Sequence, residues 1–118
     1  MSRYVILLHE TPPRDARPTH WDLMLQRDSH LQTWALESLP RAGAEIAAQL
    51  LPDHRLAYLD YEGEISRGRG RVSQWDAGEY GLLRDEPERV TVSLAGRRGL
   101  TEVELRRIGE GWTARFCG

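Results

Sequence analysis

The chain opens on RYVILLHE, a short and continuously apolar run rich in β-forming residues, which predicts a first strand buried on both faces. TPPRDARPT follows, and its three prolines cannot continue a strand, so this stretch is a loop. HWDLMLQ then alternates. His20, Asp22, Met24 and Gln26 share one face and Trp21, Leu23 and Leu25 the other, as in a strand that turns its indole and leucines into a core. RDSH predicts a hairpin turn into a third strand, LQTWALE. AGAEIAAQLL, bounded by Pro40 and Pro52, is alanine-rich and predicts one short helix. DHRLAYLDYEGEI returns toward extended structure, GRGRVSQW predicts a strand after a glycine-rich turn, and DAGEYG predicts a turn. VTVSLAG, LTEVELRRI and WTARF are three further short segments, mostly alternating and separated by the glycine-containing turns RRG and GEG. Many short strands with a single helix predict a mainly β fold, an antiparallel barrel or sandwich.

The 118 residues suit a single domain spanning 1–118, with one core and therefore one site to find. A net charge of −2 and the absence of any long apolar run predict no membrane association and no general affinity for polyanions. The opening run is too short for a signal peptide and lacks a small-residue cleavage site, so a cytoplasmic location is expected. Cys117 is the one cysteine, which removes disulfides and cysteine-rich zinc sites from consideration. Any metal must be held by His, Asp or Glu. All sixteen basic residues are arginine, a bias that a GC-rich genome explains best, although the planar fork of arginine also suits phosphate.

In a strand, residues i and i+2 project from one face roughly 6 to 7 Å apart, so His20 and Asp22 can close onto one ion. His9, near the end of the preceding strand, is a natural third ligand. Two imidazoles and a carboxylate suit Mn, Fe or Zn and leave coordination positions open. The same spacing also fits a surface His–Asp pair. His54 and Tyr58 can meet only if DHRLAY makes a helical turn, because in a straight strand they stand roughly 13 Å apart. Arg67, Arg69 and Arg71 alternate with glycine in SRGRGRV, as either a polyanion-binding loop or a solvated turn. The four tryptophans fit core packing better than a base-stacking platform, which normally accompanies a basic groove.

The order of motifs, namely a histidine followed by HWDLMLQ, then LQTWALESLP, LPDHRLAYLDYEGEI and GRGRVSQWDAGEY, resembles the 3′-phosphoesterase domain of bacterial DNA ligase D and its free-standing relatives. The resemblance covers roughly residues 4 to 80, and DHRLAYLDYEG and VSQWDAGEY are its most specific pieces. It implies a small β-barrel that uses a divalent ion, manganese before zinc or iron. It also implies removal of a terminal ribonucleoside and then the 3′-phosphate from nucleic acid 3′ ends in DNA repair, beside a separate ligase or repair protein. Carried over by position, His9, His20 and Asp22 match the metal ligands, and His54 and Tyr58 match the pair that acts at the scissile phosphate.

Three departures stand out. The loop between His9 and His20 is longer than in the family pattern, Met24 stands where that pattern has a phosphate-binding arginine, and Ser38 where it has a lysine. Positioned cations are often the largest catalytic term in phosphoryl chemistry, so Arg14, Arg17, Arg67 and Arg69 are the candidates to supply the missing charge. The alternative implied by the same losses is a catalytically degenerate homologue that binds a metal or nucleic acid ends without cleaving. A third reading takes His20, Asp22 and His54 as the facial triad of a non-haem iron oxygenase, for which the chain is short.

Overall fold

A computed structural model describes residues 2–118. Among the described residues nine strands follow one another: β1 (Ser2–Glu10), β2 (His20–Gln26), β3 (Leu31–Leu36), β4 (Glu45–His54), β5 (Gly63–Glu64), β6 (Arg71–Glu86), β7 (Arg89–Ala95), β8 (Glu102–Ile108) and β9 (Gly111–Cys117). Eight of them close an antiparallel barrel in the order β1-β2-β3-β4-β9-β8-β7-β6, with β6 returning to β1. The two-residue β5 adds to the start of β6. Closure gives each of the eight strands a hydrogen-bonded neighbour on both sides, which suits a small β domain. Among the described residues no helix is long and apolar enough to cross a membrane.

The alternation read in HWDLMLQ is realised on β2. Leu23 and Leu25 join Tyr4, Ile6, Trp34, Leu36, Val103, Leu105 and Phe116 in the barrel interior. Trp34 and Trp112 pack edge to face there at 5.6 Å, and Trp21 and Trp75 pack against the same core, so all four indoles are structural. The opposite face of β1 and β2 is covered as well. Val5, Leu7, Met24, Leu31 and Val72 form a second cluster outside the barrel, capped by Leu59 with Leu56, Tyr58 and Ile65 against it. This explains why the first strand is apolar at consecutive positions.

Two expectations are corrected. The helix expected over 42–51 does not form, because β4 occupies Glu45–His54. Its burial alternates, with Ile46 and Ala48 inside and Glu45, Ala47 and Gln49 outside. Between β3 and β9 the chain gains two ladders of hydrogen bonds and closes the barrel, and this outweighs the modest helix preference of alanine. The only helical pieces among the described residues are 3-10 turns at Leu56–Leu59 and Ser66–Gly68. DAGEYG is likewise no turn, since it lies within the sixteen-residue β6, which pairs with β1 along its first part and with β7 along its last.

The bend that β6 needs comes from a bulge. Ile6 pairs with Asp76 and Leu7 with Gln74, leaving Trp75 as the extra residue. Asp76 is fully buried beside it. Its carboxylate accepts the Tyr4 hydroxyl at 2.8 Å and the backbone N–H groups of Ala77 at 2.9 Å and Arg97 at 2.8 Å. Burial, and then the carboxylate, push the Tyr4 hydroxyl well above the usual tyrosine range. Gly96 is required at this contact, for a Cβ there would lie 2.0 Å from the Tyr4 oxygen. Asp76→Ala would strand one hydroxyl and two N–H groups, and a loss of about 3 kcal/mol or more is expected in urea unfolding. Tyr4→Phe, which removes one donor, is expected to cost about 1–3 kcal/mol; equal midpoints for both variants and the unmodified protein would contradict this account.

Candidate functional site

His9 and His20 are direct partners in the β1–β2 ladder, and Asp22 faces Leu7 two residues further along. All three side chains emerge on the outer face of the barrel, at the end where the proline loop 11–19 crosses over. Opposed residues in an antiparallel pair bring their Cβ atoms close, and the two imidazole centroids lie 4.7 Å apart. Asp22 is buried, with Oδ2 at 3.6 Å from His9 Nδ1 and Oδ1 at 3.2 Å from His20 Nε2. One ligand atom from each residue falls within 4.8 Å of the others.

Backbone carbonyls orient both rings. His20 Nδ1–H donates to the Pro18 carbonyl at 2.9 Å, and His9 Nε2–H donates to the Arg69 carbonyl at 3.0 Å. Each ring therefore turns its remaining nitrogen, as an acceptor, toward the acceptor-only carboxylate. His20 Nε2 and Asp22 Oδ1 are left buried with no hydrogen-bond partner. An arrangement of acceptors facing one another is costly unless a proton or a cation sits between them. The Asp22 carboxylate raises the pKa of His9 above the usual imidazole value, against the opposing effect of burial. Burial pushes Asp22 up, but its contacts with His20 and His9 together hold it below the usual carboxylate range. Two nitrogens and a carboxylate, mostly buried and already aimed at one point, fit a divalent ion such as Mn, Zn or Fe.

The triad forms one wall of an open cleft of about 510 Å³. Opposite it, the chain leaves β4 at His54 and makes the 3-10 turn Leu56–Leu59, so the DHRLAY segment adopts the turn that unites its candidate pair. The His54 and Tyr58 rings meet edge to face at 5.7 Å, and both line the cleft. His54 Nδ1–H donates to the Pro52 carbonyl at 2.9 Å, leaving Nε2 as its free nitrogen. The turn is held to the barrel by Leu59 beneath it and by the Arg3–Asp60 ion pair at 2.7 Å.

Of the four candidate arginines, Arg17 and Arg69 line the cleft, whereas Arg14 lies over Gly68 and Arg67 stands outside the wall. The Arg69 guanidinium is tied to the Ser66 carbonyl and hydroxyl at 2.9 and 3.1 Å. Met24 is buried in the outer cluster and Ser38 is exposed in the β3–β4 connection, so neither position offers a cation. Arg55, which lines the cleft between His54 and Tyr58, was not among the residues expected from the sequence. The orienting carbonyls were also missed, although two of them share a readable signal: Pro18-Thr19-His20 and Pro52-Asp53-His54 are both Pro-x-His, and in each the imidazole bonds the carbonyl two residues back.

A family model described as "DNA Ligase D 3'-phosphoesterase domain" matches residues 13–113. The chain belongs to this family. The 3′-phosphoesterase match takes in His20, Asp22, His54 and Tyr58 and begins just after His9. Curated relatives include the multifunctional non-homologous end joining protein LigD of Mycobacterium bovis, 36% identical over 109 residues. That alignment covers 84% of this chain and 14% of the relative. The protein of the same name from Pseudomonas aeruginosa is 36% identical over 126 residues, covering 93% of this chain and again 14% of the relative. The chain thus spans a small fraction of the length of the relatives it matches.

The Arg69 carbonyl reaches His9 because Gly70 adopts a φ of +104° and approaches the Glu10 backbone, where a Cβ would lie 2.1 Å from the carbonyl oxygen. Gly70→Ala is expected to cost about 1–3 kcal/mol in backbone strain and to release the His9 ring. Imidazole nitrogen chemical shifts would then show His9 losing its fixed tautomer while His54 keeps its own; an unchanged His9 spectrum would contradict the orienting role.

Proposed function

We propose that this chain is a divalent-metal-dependent phosphoesterase that trims nucleic acid 3′ ends in DNA repair, removing a terminal ribonucleoside and then the 3′-phosphate. The observation that carries this reading is the buried acceptor triad, with both histidines aimed by backbone carbonyls and His20 Nε2 and Asp22 Oδ1 lacking partners. His9, His20 and Asp22 would hold the ion, with manganese the first expectation and zinc or iron compatible with the same donors. A divalent ion there supplies Lewis acidity toward a phosphate oxygen and lowers the pKa of a bound water.

The chain's own residues account for the rest of the chemistry. Tyr58 donates its hydroxyl to a non-bridging phosphate oxygen, and Arg17 and Arg55 bring positive charge to the same cleft. His54, held at Nδ1 by Pro52, acts as the imidazolium and gives its Nε2 proton to the departing oxygen, and the proton released by the attacking water restores it. In the first hydrolysis the oxygen of water bonds to phosphorus as the P–O5′ bond breaks. The nucleoside leaves as its 5′-alcohol, and the strand keeps a 3′-phosphate. A second hydrolysis releases inorganic phosphate and leaves a 3′-hydroxyl, which a separate DNA ligase or repair protein would use.

The burial of Met24 favours a second reading, in which the pocket binds a metal or an end without turnover, because the position has been given to packing and not to charge. A primer-template bearing one 3′ ribonucleotide or a 3′-phosphate, incubated with manganese or chelator, separates the two readings. Metal-dependent product that falls at least about 100-fold in His20→Ala supports the enzyme. Manganese binding with no product selects the binding module. Among the arginines, Arg17→Ala is expected to slow turnover by about 10- to 100-fold and Arg67→Ala to leave it nearly unchanged; the reverse order would remove Arg17 from the site.

A further inference from the structure

Beside the cleft lies a second cavity of about 240 Å³, completed by Ala57, Tyr61, Glu64, Ile65 and Ser66. Arg55 and Tyr58 line both spaces, so they form the partition between them. The Tyr58 and Tyr61 rings stand 5.9 Å apart and nearly perpendicular, and the Tyr61 hydroxyl is pinned by donation to the Glu64 carbonyl. Arg55 makes no side-chain cap to the turn it precedes, and among the described residues it enters no ion pair. Its guanidinium is uncommitted at the threshold.

We propose that this cavity is the subsite for the terminal nucleoside, the group that leaves in the first hydrolysis; the inference rests on the phosphoesterase reading of the adjoining cleft. A phosphodiester has two arms. The strand is long and needs the open cleft, whereas a single nucleoside fits the smaller cavity, and a group bonded to a phosphate at His54 and Tyr58 reaches it by passing Arg55. Phenol rings with an isoleucine and an alanine provide a wall for a planar base, and stacking of this kind tolerates any base because each presents a π-face. Arg55 stands where the scissile phosphate joins the two spaces and can hold it bidentately. A 3′-phosphate has no second arm, so the cavity contributes to the first hydrolysis and not to the second.

The test separates the two steps. Ala57 is exposed, and Ala57→Trp would fill the cavity without entering the barrel core. Release of a 3′-terminal ribonucleoside is expected to fall about tenfold or more relative to release of phosphate from a 3′-phosphate end. An unchanged ratio of the two rates would overturn the proposal. A second measurement uses the unmodified, metal-free protein, with adenosine titrated while the methyl resonances of Ala57 and Ile65 are followed. Saturable shifts at these methyls are expected, and their absence would overturn the subsite even in an active enzyme. Shifts without turnover on either substrate would instead remove the phosphoesterase reading and leave a nucleoside-binding site.

Discussion

Strand β1 is hydrogen-bonded along both edges, and the register of those two ladders governs the rest of the molecule. Against β2 it sets His9 opposite His20; against β6 it sets Ile6 opposite Asp76 and forces the bulge at Trp75. Side chains alternate with a period of two, so a slip of one residue would turn Tyr4 and Ile6 out of the barrel and send His9 inward. Burial on both faces makes such a slip prohibitive. Val5 and Leu7 are as deeply covered by the outer cluster as Tyr4 and Ile6 are by the inner one. The geometry of the site is therefore a by-product of packing that begins several residues away.

The molecule buries two carboxylates close to β1 and treats them in opposite ways. Asp76 receives a donor for each lone pair it most needs to satisfy, from Tyr4, Ala77 and Arg97, and so acts as a clamp for the β6 bend. Asp22 receives acceptors. Both neighbouring imidazoles have given their N–H groups to backbone carbonyls, and Asp22 Oδ1 is left without a partner. A satisfied buried polar group rigidifies a fold, whereas an unsatisfied one stores affinity for whatever cation can complete it. Equal burial thus accompanies structure in one case and candidate chemistry in the other.

The strands were legible wherever apolar residues alternated or ran on unbroken, because those patterns report burial directly. β2, β7, β8 and β9 fall where the alternation placed them. Alanine misled the reading of 42–51, since its helix preference is weak and the position between β3 and β9 is a tertiary fact that no local window carries. DAGEYG misled for a related reason, because Asp76 and Gly78 are turn-forming types used here inside a bent strand. His20 and Asp22 were legible as neighbours from their spacing alone. That His9 faces His20, that Arg69 lends its carbonyl, and that Arg55 rather than Arg14 or Arg67 reaches the cleft depend on ladder register and on loops folded back over the barrel.

The outer cluster also bears on where the cleft can draw its positive charge. Met24 lies on the face of β2 that carries His20 and Asp22, and Leu59 covers it from the turn that bears Tyr58. Where the family pattern has arginine, this chain has made the side chain part of the joint between barrel and overlying turn. A guanidinium reintroduced there would be desolvated without a partner and would push away the segment that holds His54 and Tyr58. Packing thus reserves the strand beneath the cleft for apolar side chains and leaves the rim as the place from which a cation can be drawn.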